Sequence, residues 1–329
     1  MAMVLKRAAA LAATVTLLGA VTAATQTPPA AAPDGAPAWA YLVKPPGYKL
    51  PPDDGAPRHV PGSAASYKVS QLRDPYLAPD WHPQEHPAMP SVVGRGRRPD
   101  VMACGFCHRA TGTGGPENAN IAGLPRAYIV RQLQEYRSGA RTSAVKDRLP
   151  TDLMMATAKA LTDAEIEAAA DYFSALKPTS HIRVVESARP PKLVQAGWLM
   201  AVAPGKATEP LGRRIVEVPE DLEQFEARDP HARFIAYVPP GSLARGEQLV
   251  KTWGDLAMAC ATCHGEDLKG MDDTPPIIGR SPTYMVRQLH DFRTKARHGE
   301  MADQMEPVVA NLTVDDMIAL SAYLASREP

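Results

Sequence analysis

Two short runs of sequence, Cys104–His108 and Cys260–His264, constrain this chain more than any other feature. Each is a C-x-x-C-H motif, the sequence that attaches c-type haem covalently. Two cysteines three positions apart lie on one face of a helical turn, so both sulfurs can bond one porphyrin. The histidine that follows can then ligate the iron. The predicted attachment residues are Cys104, Cys107, Cys260 and Cys263, and the predicted proximal ligands are His108 and His264.

Other uses of paired cysteines fit the two motifs less well. A zinc site could take two C-x-x-C pairs, but it would not require a histidine directly after each second cysteine. A thioredoxin-like redox pair belongs in a βαβ pattern, which this sequence lacks. Structural disulfides are compatible with an exported protein. The chain has four cysteines and the two motifs use all of them. We therefore expect two covalently bound haem c groups.

The first 23 residues have the pattern of an export signal. Lys6 and Arg7 precede an apolar run, 8–23, that ends in small residues suited to cleavage. The run is short for a membrane span, although an uncleaved anchor is the alternative. We expect a periplasmic protein without a strong membrane signal after cleavage. The 36 basic and 36 acidic residues balance, so net charge indicates no nucleic-acid or membrane-surface partner.

Residues 24–95 are rich in proline and poor in periodic apolar stretches. Such a segment cannot build its own packed core, and we expect it to lie extended over a neighbouring surface. His82 and His86 flank a short polar stretch within it. A metal site there would need further ligands and a helix that the nearby prolines discourage, so we expect a surface loop.

An internal repeat follows the extension. Cys104 and Cys260 are 156 residues apart, as are Tyr128 and Tyr284 in matching Arg-Gln-Leu segments. A repeat of this length indicates a duplicated domain. We predict haem domains at 96–178 and 240–329. Between them, at 179–239, we predict a small β-containing connector with strands at 183–186, 214–218 and 234–238.

The repeat also selects a candidate sixth ligand. Each copy ends in a predicted helix that opens with Leu-Thr, at 161–162 and 312–313, 151 residues apart. Met154 and Met305 each lie seven residues before that leucine, and the five-residue difference from 156 places an insertion in the first copy. A methionine opposite the histidine makes the iron six-coordinate and raises its potential. The predicted axial ligands are His108 with Met154 and His264 with Met305.

The chain has 13 methionines, and most methionines are pliable core filler. Met102 and Met258 directly precede the attachment turns, which places them on the proximal side. His290 and His298 could serve as distal ligands in the second copy, but the first copy has no matching histidine. A bis-histidine scheme would therefore break the symmetry of the repeat. The remaining competitors are Met155 and Met301.

Together these motifs resemble those of class I cytochromes c, and the tandem arrangement is similar to the di-haem, cytochrome c-four-like members of that class. The resemblance covers about residues 96–178 and 240–329. It implies a mainly α fold with two tandem class I cytochrome c domains. In that family a proline carbonyl orients the proximal histidine; Pro275 matches this role, and Ala119 replaces the proline in the first copy.

The activity implied is single-electron transfer, with no catalytic residue. The chain would act as a carrier or as the electron-accepting subunit of a dehydrogenase. Its partners would be redox proteins on the dehydrogenase or terminal oxidase side, docking through a small interface. The alternative is a di-haem cytochrome c peroxidase, which needs one haem that opens to peroxide. Both copies have a methionine at the equivalent position, Met154 and Met305, which argues against two haems with different roles.

Overall fold

The computed structural model describes residues 35–45, 47–252 and 260–329. The predicted signal peptide, the first part of the extension and Met258 lie outside the described residues. Two helical units of similar construction carry the C-x-x-C-H motifs, and a connector with short strands lies between them in sequence. Mainly helical haem domains and a β-containing connector were the predicted architecture, and this prediction is confirmed.

The helices surround each motif in the same order in both copies. In the first copy α4 packs against α5 and α6, and in the second α10 packs against α12. The extension and first copy contain α1 (Val69–Leu72), α2 (Ser91–Gly94), α3 (Cys104–His108), α4 (Arg126–Ser138), α5 (Leu149–Ala160) and α6 (Asp163–Ser174). After α7 (Leu222–Glu226) in the connector, the second copy contains α8 (Ser242–Thr252), α9 (Cys260–His264), α10 (Pro282–Arg293), α11 (Glu306–Val309) and α12 (Val314–Ala325). Short 3-10 helices span Ala38–Ala40, Pro83–Glu85 and Ala302–Met305.

Both closing helices begin at the residue that the sequence predicts. Thr162 accepts a hydrogen bond from the backbone N–H of Glu165 at the start of α6, and Thr313 accepts one from Asp316 at the start of α12. In each case the carboxylate accepts from the backbone N–H of the threonine, which completes a capping box. Each cap fixes the residue at which its helix begins, and therefore which side chains of the helix face the core.

The helix before each motif differs between the copies. In the second copy α8 spans Ser242–Thr252 and crosses α12 closely. Gly246 permits this crossing, because a side chain there would collide with the carbonyl of Ala319. In the first copy α2 has a single turn, Ser91–Gly94, and packs on α3 and α6. Pro90 precedes that turn and does not continue a helix toward the N-terminus.

The connector contains a three-stranded sheet and a hairpin. In the sheet, the last strand lies in the middle, parallel to the first and antiparallel to the second. The three strands lie where the sequence predicts them, whereas the hairpin was not predicted. After β1 (Pro57–Arg58) and β2 (Tyr67–Lys68) in the extension, the strands are β3 (Ile182–Glu186), β4 (Leu193–Ala196), β5 (Leu199–Val202), β6 (Val216–Pro219) and β7 (Phe234–Val238).

The extension is held by buried aromatic side chains. Tyr41 is 3% exposed and donates a hydrogen bond to Asp291 of α10 at 2.7 Å. Trp81 is 1% exposed and donates from its indole nitrogen to the carbonyl of Ala227 in the connector at 2.8 Å. The expectation of a surface loop is wrong for His82, which is 2% exposed. Its burial results from contact with connector residues more than 140 positions away. The sequence around His82 carries no signal for a contact at that distance.

Within the described residues, no single helix has the length and apolar character to cross a bilayer. One pair, 302–309 and 314–325, meets those criteria only in combination, with a bend of 119° between its parts.

Candidate haem sites

Each proximal histidine is oriented by a backbone carbonyl eleven residues further along the chain. The ring Nδ1 of His108 lies 2.8 Å from the carbonyl oxygen of Ala119, and that of His264 lies 2.7 Å from the carbonyl oxygen of Pro275. Alanine therefore supplies the same acceptor as proline, because only the backbone oxygen is used. A hydrogen bond of this kind fixes the ring and increases its basicity as a ligand.

The two rings are suited to bind iron. Burial lowers the pKa of His108 and of His264, while the carbonyl contact opposes that shift. A neutral imidazole that donates its Nδ1–H to a carbonyl keeps a lone pair on Nε2. Each histidine therefore presents the nitrogen that a haem iron needs.

A cavity of about 810 Å³ adjoins the first attachment turn. Cys104, Cys107 and His108 line it, and Met154 lines it as well. Helix α4 contributes one face with helical spacing: Tyr128, Ile129, Gln132, Leu133 and Tyr136. A largely apolar cavity with two cysteines, a histidine and a thioether fits a covalently attached haem.

The cavity distinguishes between neighbouring methionines in the first copy. Met154 lines the cavity from the middle of α5, and it also packs against the first domain's core. Met155 is not among the lining residues. Met102 lines the cavity too, directly before α3 and therefore beside the attachment turn.

In the second copy Met305 ends the 3-10 helix Ala302–Met305 and packs against the core of that domain. Met301 is 36% exposed, and its sulfur lies 3.4 Å from the side-chain nitrogen of Gln304. His298 is exposed. His290 corresponds to position 134, which is not on the face of α4 that lines the first cavity.

The two haem domains contact each other through a hydrogen-bond network in which equivalent residues of the two copies make equivalent bonds. Arg141 donates to Tyr284 at 2.9 Å and to Gln288 at 2.8 Å, while Arg297 donates to Tyr128 at 2.9 Å and to Gln132 at 2.7 Å. Each donor and acceptor in one domain has its counterpart 156 residues away in the other. The two arginines also pair as an antiparallel bridge.

This interface was missed in the sequence, although the arginines keep the register of the repeat. Arg141 and Tyr128 line the first cavity together with Tyr284 and Gln288 of the second domain. The buried guanidinium group of Arg141, in the lining of this cavity, is suited to bind a carboxylate. The one sequence feature that pointed to this interface was the spacing of Arg141 and Arg297, which equals the 156-residue offset of the repeat.

The extension and the connector cover the first attachment turn. Gly105 lies so close to Ala78 of the extension that an added Cβ would be 2.7 Å from its side chain. Arg228 of the connector places its guanidinium carbon 3.5 Å from the ring centroid of Phe106 and donates to the Phe106 carbonyl at 2.8 Å. By contrast, Cys263 in the second turn is exposed.

A buried and a partly buried positive charge, Arg109 and Arg228, accompany this cover. Burial, together with the neighbouring Arg228, lowers the pKa of Arg109 to about 9. Burial likewise lowers the pKa of Arg228 to about 10. Neither side chain forms a salt bridge within the part of the chain that the structure describes. Their hydrogen bonds go to backbone carbonyls, including those of Phe225 and Leu72.

Residues 95–177 and 243–328 each match the family model for cytochrome c. The chain belongs to the cytochrome c family. This tandem cytochrome is 26% identical over 232 residues to a thiosulfate dehydrogenase electron acceptor of Thiomonas intermedia (strain K12), covering 70% of this chain and 80% of that relative. It is 24% identical over 244 residues to cytochrome c4 of Azotobacter vinelandii, covering 73% of this chain and 90% of the relative.

Among solved structures, the cytochrome is similar to a thiosulfate dehydrogenase of Marichromatium purpuratum, with a TM-score of 0.48 and 28% identity. The match covers 71% of this chain and 38% of that one, so the cytochrome spans well under half of that protein. Two cytochrome c domains imply two covalently bound haems. The cytochrome is an electron-transfer protein with redox protein partners.

Proposed function

We propose that this di-haem cytochrome is the electron-accepting subunit of a periplasmic dehydrogenase that oxidises a small sulfur oxyanion such as thiosulfate. The comparisons name electron acceptors of thiosulfate dehydrogenase among the relatives of this chain. In this proposal residues 96–178 and 240–329 are the haem domains, and residues 1–23 direct export before cleavage. Partners on the terminal oxidase side would then receive the electrons.

The structural observation that supports electron transfer through both haems is the matched construction of the two sites. Both proximal histidines donate to a carbonyl, at Ala119 and Pro275. Met154 lines the first cavity, and Met305 packs into the second core in the same register. We assign His108 with Met154 and His264 with Met305 as axial ligands. When bound, haem c supplies a one-electron couple, and the protein holds its ligands and limits access of water.

The exposed second turn is suited to exchange with a partner protein. Thr262 and Cys263 are exposed. Gly270 donates its backbone N–H to the His264 carbonyl, and the next residue, Met271, is 50% exposed. A small apolar contact beside an accessible haem edge fits weak and transient docking. The first turn, beneath Ala78 and Arg228, offers less access.

The proposal is tested by mixing the oxidised holoprotein with a purified thiosulfate dehydrogenase catalytic subunit and thiosulfate. Haem absorbance should report uptake of two electrons per chain, and omission of thiosulfate should abolish it. No reduction under these conditions, with normal reduction by a chemical reductant, would contradict the assignment to this dehydrogenase class. Peroxide consumption by the reduced holoprotein at enzymatic rates would instead support the peroxidase alternative.

A further inference from the structure

A cluster of three potential metal ligands lies outside both haem sites. His82 comes from the extension, and Asp229 and His231 come from the connector. One ligand atom from each residue lies within 4.8 Å of the other two. His82 is 2% exposed and Asp229 is 1% exposed, whereas His231 is exposed. Residues separated by about half of the chain are thus brought to one point, with an opening on one side.

The distances suit a transition metal. The Nε2 of His82 lies 3.3 Å from a carboxylate oxygen of Asp229. A tetrahedral ion with bonds of ~2.0–2.1 Å places its ligand atoms about 3.3–3.4 Å apart. The rings of His82 and His231 are stacked with centroids 4.0 Å apart and an interplanar angle of 19°. Because His231 is exposed, its ring has room to reorient toward an ion shared with His82 and Asp229.

Neighbouring side chains hold the ligands as an outer shell would. The side-chain nitrogen of Gln224 donates to the second carboxylate oxygen of Asp229 at 2.7 Å. The Nε2 of His231 lies 2.7 Å from a carboxylate oxygen of Glu85, which leaves Nδ1 of that ring for a metal. A carboxylate on the second nitrogen of a histidine is the usual support of a zinc ligand.

We propose that His82, Asp229 and His231 bind one divalent transition-metal ion, with Zn²⁺ as the best fit to a site of two imidazoles and one carboxylate. The ion joins the extension to the connector. Asp229 directly follows Arg228, which lies on Phe106 of the first attachment turn. The ion therefore secures the cover over the first haem site, a role separate from electron transfer itself.

Calorimetric titration of the metal-stripped holoprotein with Zn²⁺ tests the proposal. We expect one site per chain in the full-length protein. His231→Ala should weaken binding by more than roughly 100-fold, and Glu85→Gln by about 10–100-fold, since it removes only outer-shell support. The control His59→Ala alters an exposed histidine outside the cluster and should leave binding unchanged.

Because His231 is exposed at a loop, its replacement should leave the fold intact, which circular dichroism will check. X-ray absorption at the zinc edge provides a second measurement, distinct from haem iron, and should show two imidazole ligands. Absence of saturable Zn²⁺ binding would overturn the proposal. The three residues would then form only a hydrogen-bonded contact between the extension and the connector. Equal affinity of His231→Ala and the unaltered protein would also overturn it.

Discussion

The two candidate haem sites of this chain have the same proposed ligands but differ in what covers them. In both, a histidine at the end of a C-x-x-C-H turn donates to a carbonyl, and a capped closing helix completes the core. The first turn lies beneath Ala78 and Arg228, whereas Cys263 of the second turn is exposed. The two copies thus have the same local construction, whereas the extension and the connector contact only the first attachment turn in this way.

This difference has an electrostatic consequence. Burial disfavours the more highly charged oxidised iron, and nearby positive charge disfavours it further. Arg109, which is buried, and Arg228, which is partly buried, place two guanidinium groups beside the first site. We therefore expect a higher reduction potential at the first site than at the second.

The largest effect is expected from the distal ligands, where the sites should be alike. Met154→Ala and Met305→Ala should each lower the potential of one centre by on the order of 0.1–0.2 V, a fraction of the ~0.8 V range that axial ligands span. Haem should remain attached in both variants, and redox titration gives the shifts.

Matched controls are available beside each ligand. Met155 is outside the cavity lining, and Met301 is partly exposed. Met155→Ala and Met301→Ala should therefore keep both potentials close to those of the unaltered protein. A large shift in Met301→Ala with none in Met305→Ala would move the second ligand to Met301.

The interface between the domains should respond symmetrically. Arg141→Met and Arg297→Met each remove buried hydrogen bonds to the partner domain. Each should lower the free energy of unfolding by about 3 kcal/mol, since hydrogen bonds to charged groups contribute ~1.5–3 kcal/mol. Denaturant titration of the holoprotein measures the loss. The double variant should lose less than the two single losses combined, and full additivity would show that the arginines act independently.

Removal of one positive charge from the cover should affect the first site alone. Arg228→Gln should lower the first potential by roughly tens of millivolts, because a positive charge next to the turn is lost. Lys206→Gln, an exposed change in the connector, serves as the control. Redox titration with both centres resolved gives the result. Equal shifts at both centres would contradict a local effect of the cover.

The smallest effect concerns the cap of the first closing helix. A hydrogen bond from Arg97, with further support from Thr162, lowers the pKa of Glu165 to about 2 from its ordinary 4.5. Because the folded-state pKa is depressed, this stabilisation is present above pH 4.5 and is lost as the pH falls toward 2. Glu165→Gln should cost about 1 kcal/mol at neutral pH.

Stability curves against pH for Glu165→Gln and the unaltered protein should converge as the carboxylate protonates. A constant difference between the curves down to pH 2 would show that the charge of Glu165 contributes nothing.

The sequence was sufficient for features that depend on local spacing. The attachment turns, the starts of the closing helices at Thr162 and Thr313 and the carbonyls of Ala119 and Pro275 all lie where the repeat and the family resemblance placed them. These features are settled within one turn or one loop. The three predicted connector strands belong to the same group, because short β-branched runs between prolines have few alternatives.

Contacts between distant segments could not be predicted in the same way. His82 meets Asp229 across 147 positions, and Arg228 reaches Phe106 across 122. Neither pair follows a period or a motif, so only packing brings them together. Arg141 and Arg297 are intermediate, since their matched spacing was visible but their mutual contact was not.

Electron paramagnetic resonance of the oxidised, full-length holoprotein distinguishes the possible ligand pairs of both irons. We expect two low-spin ferric centres, each with one histidine and one methionine, assigned to His108 with Met154 and His264 with Met305. A high-spin centre, or a centre with two histidine ligands, would contradict this assignment.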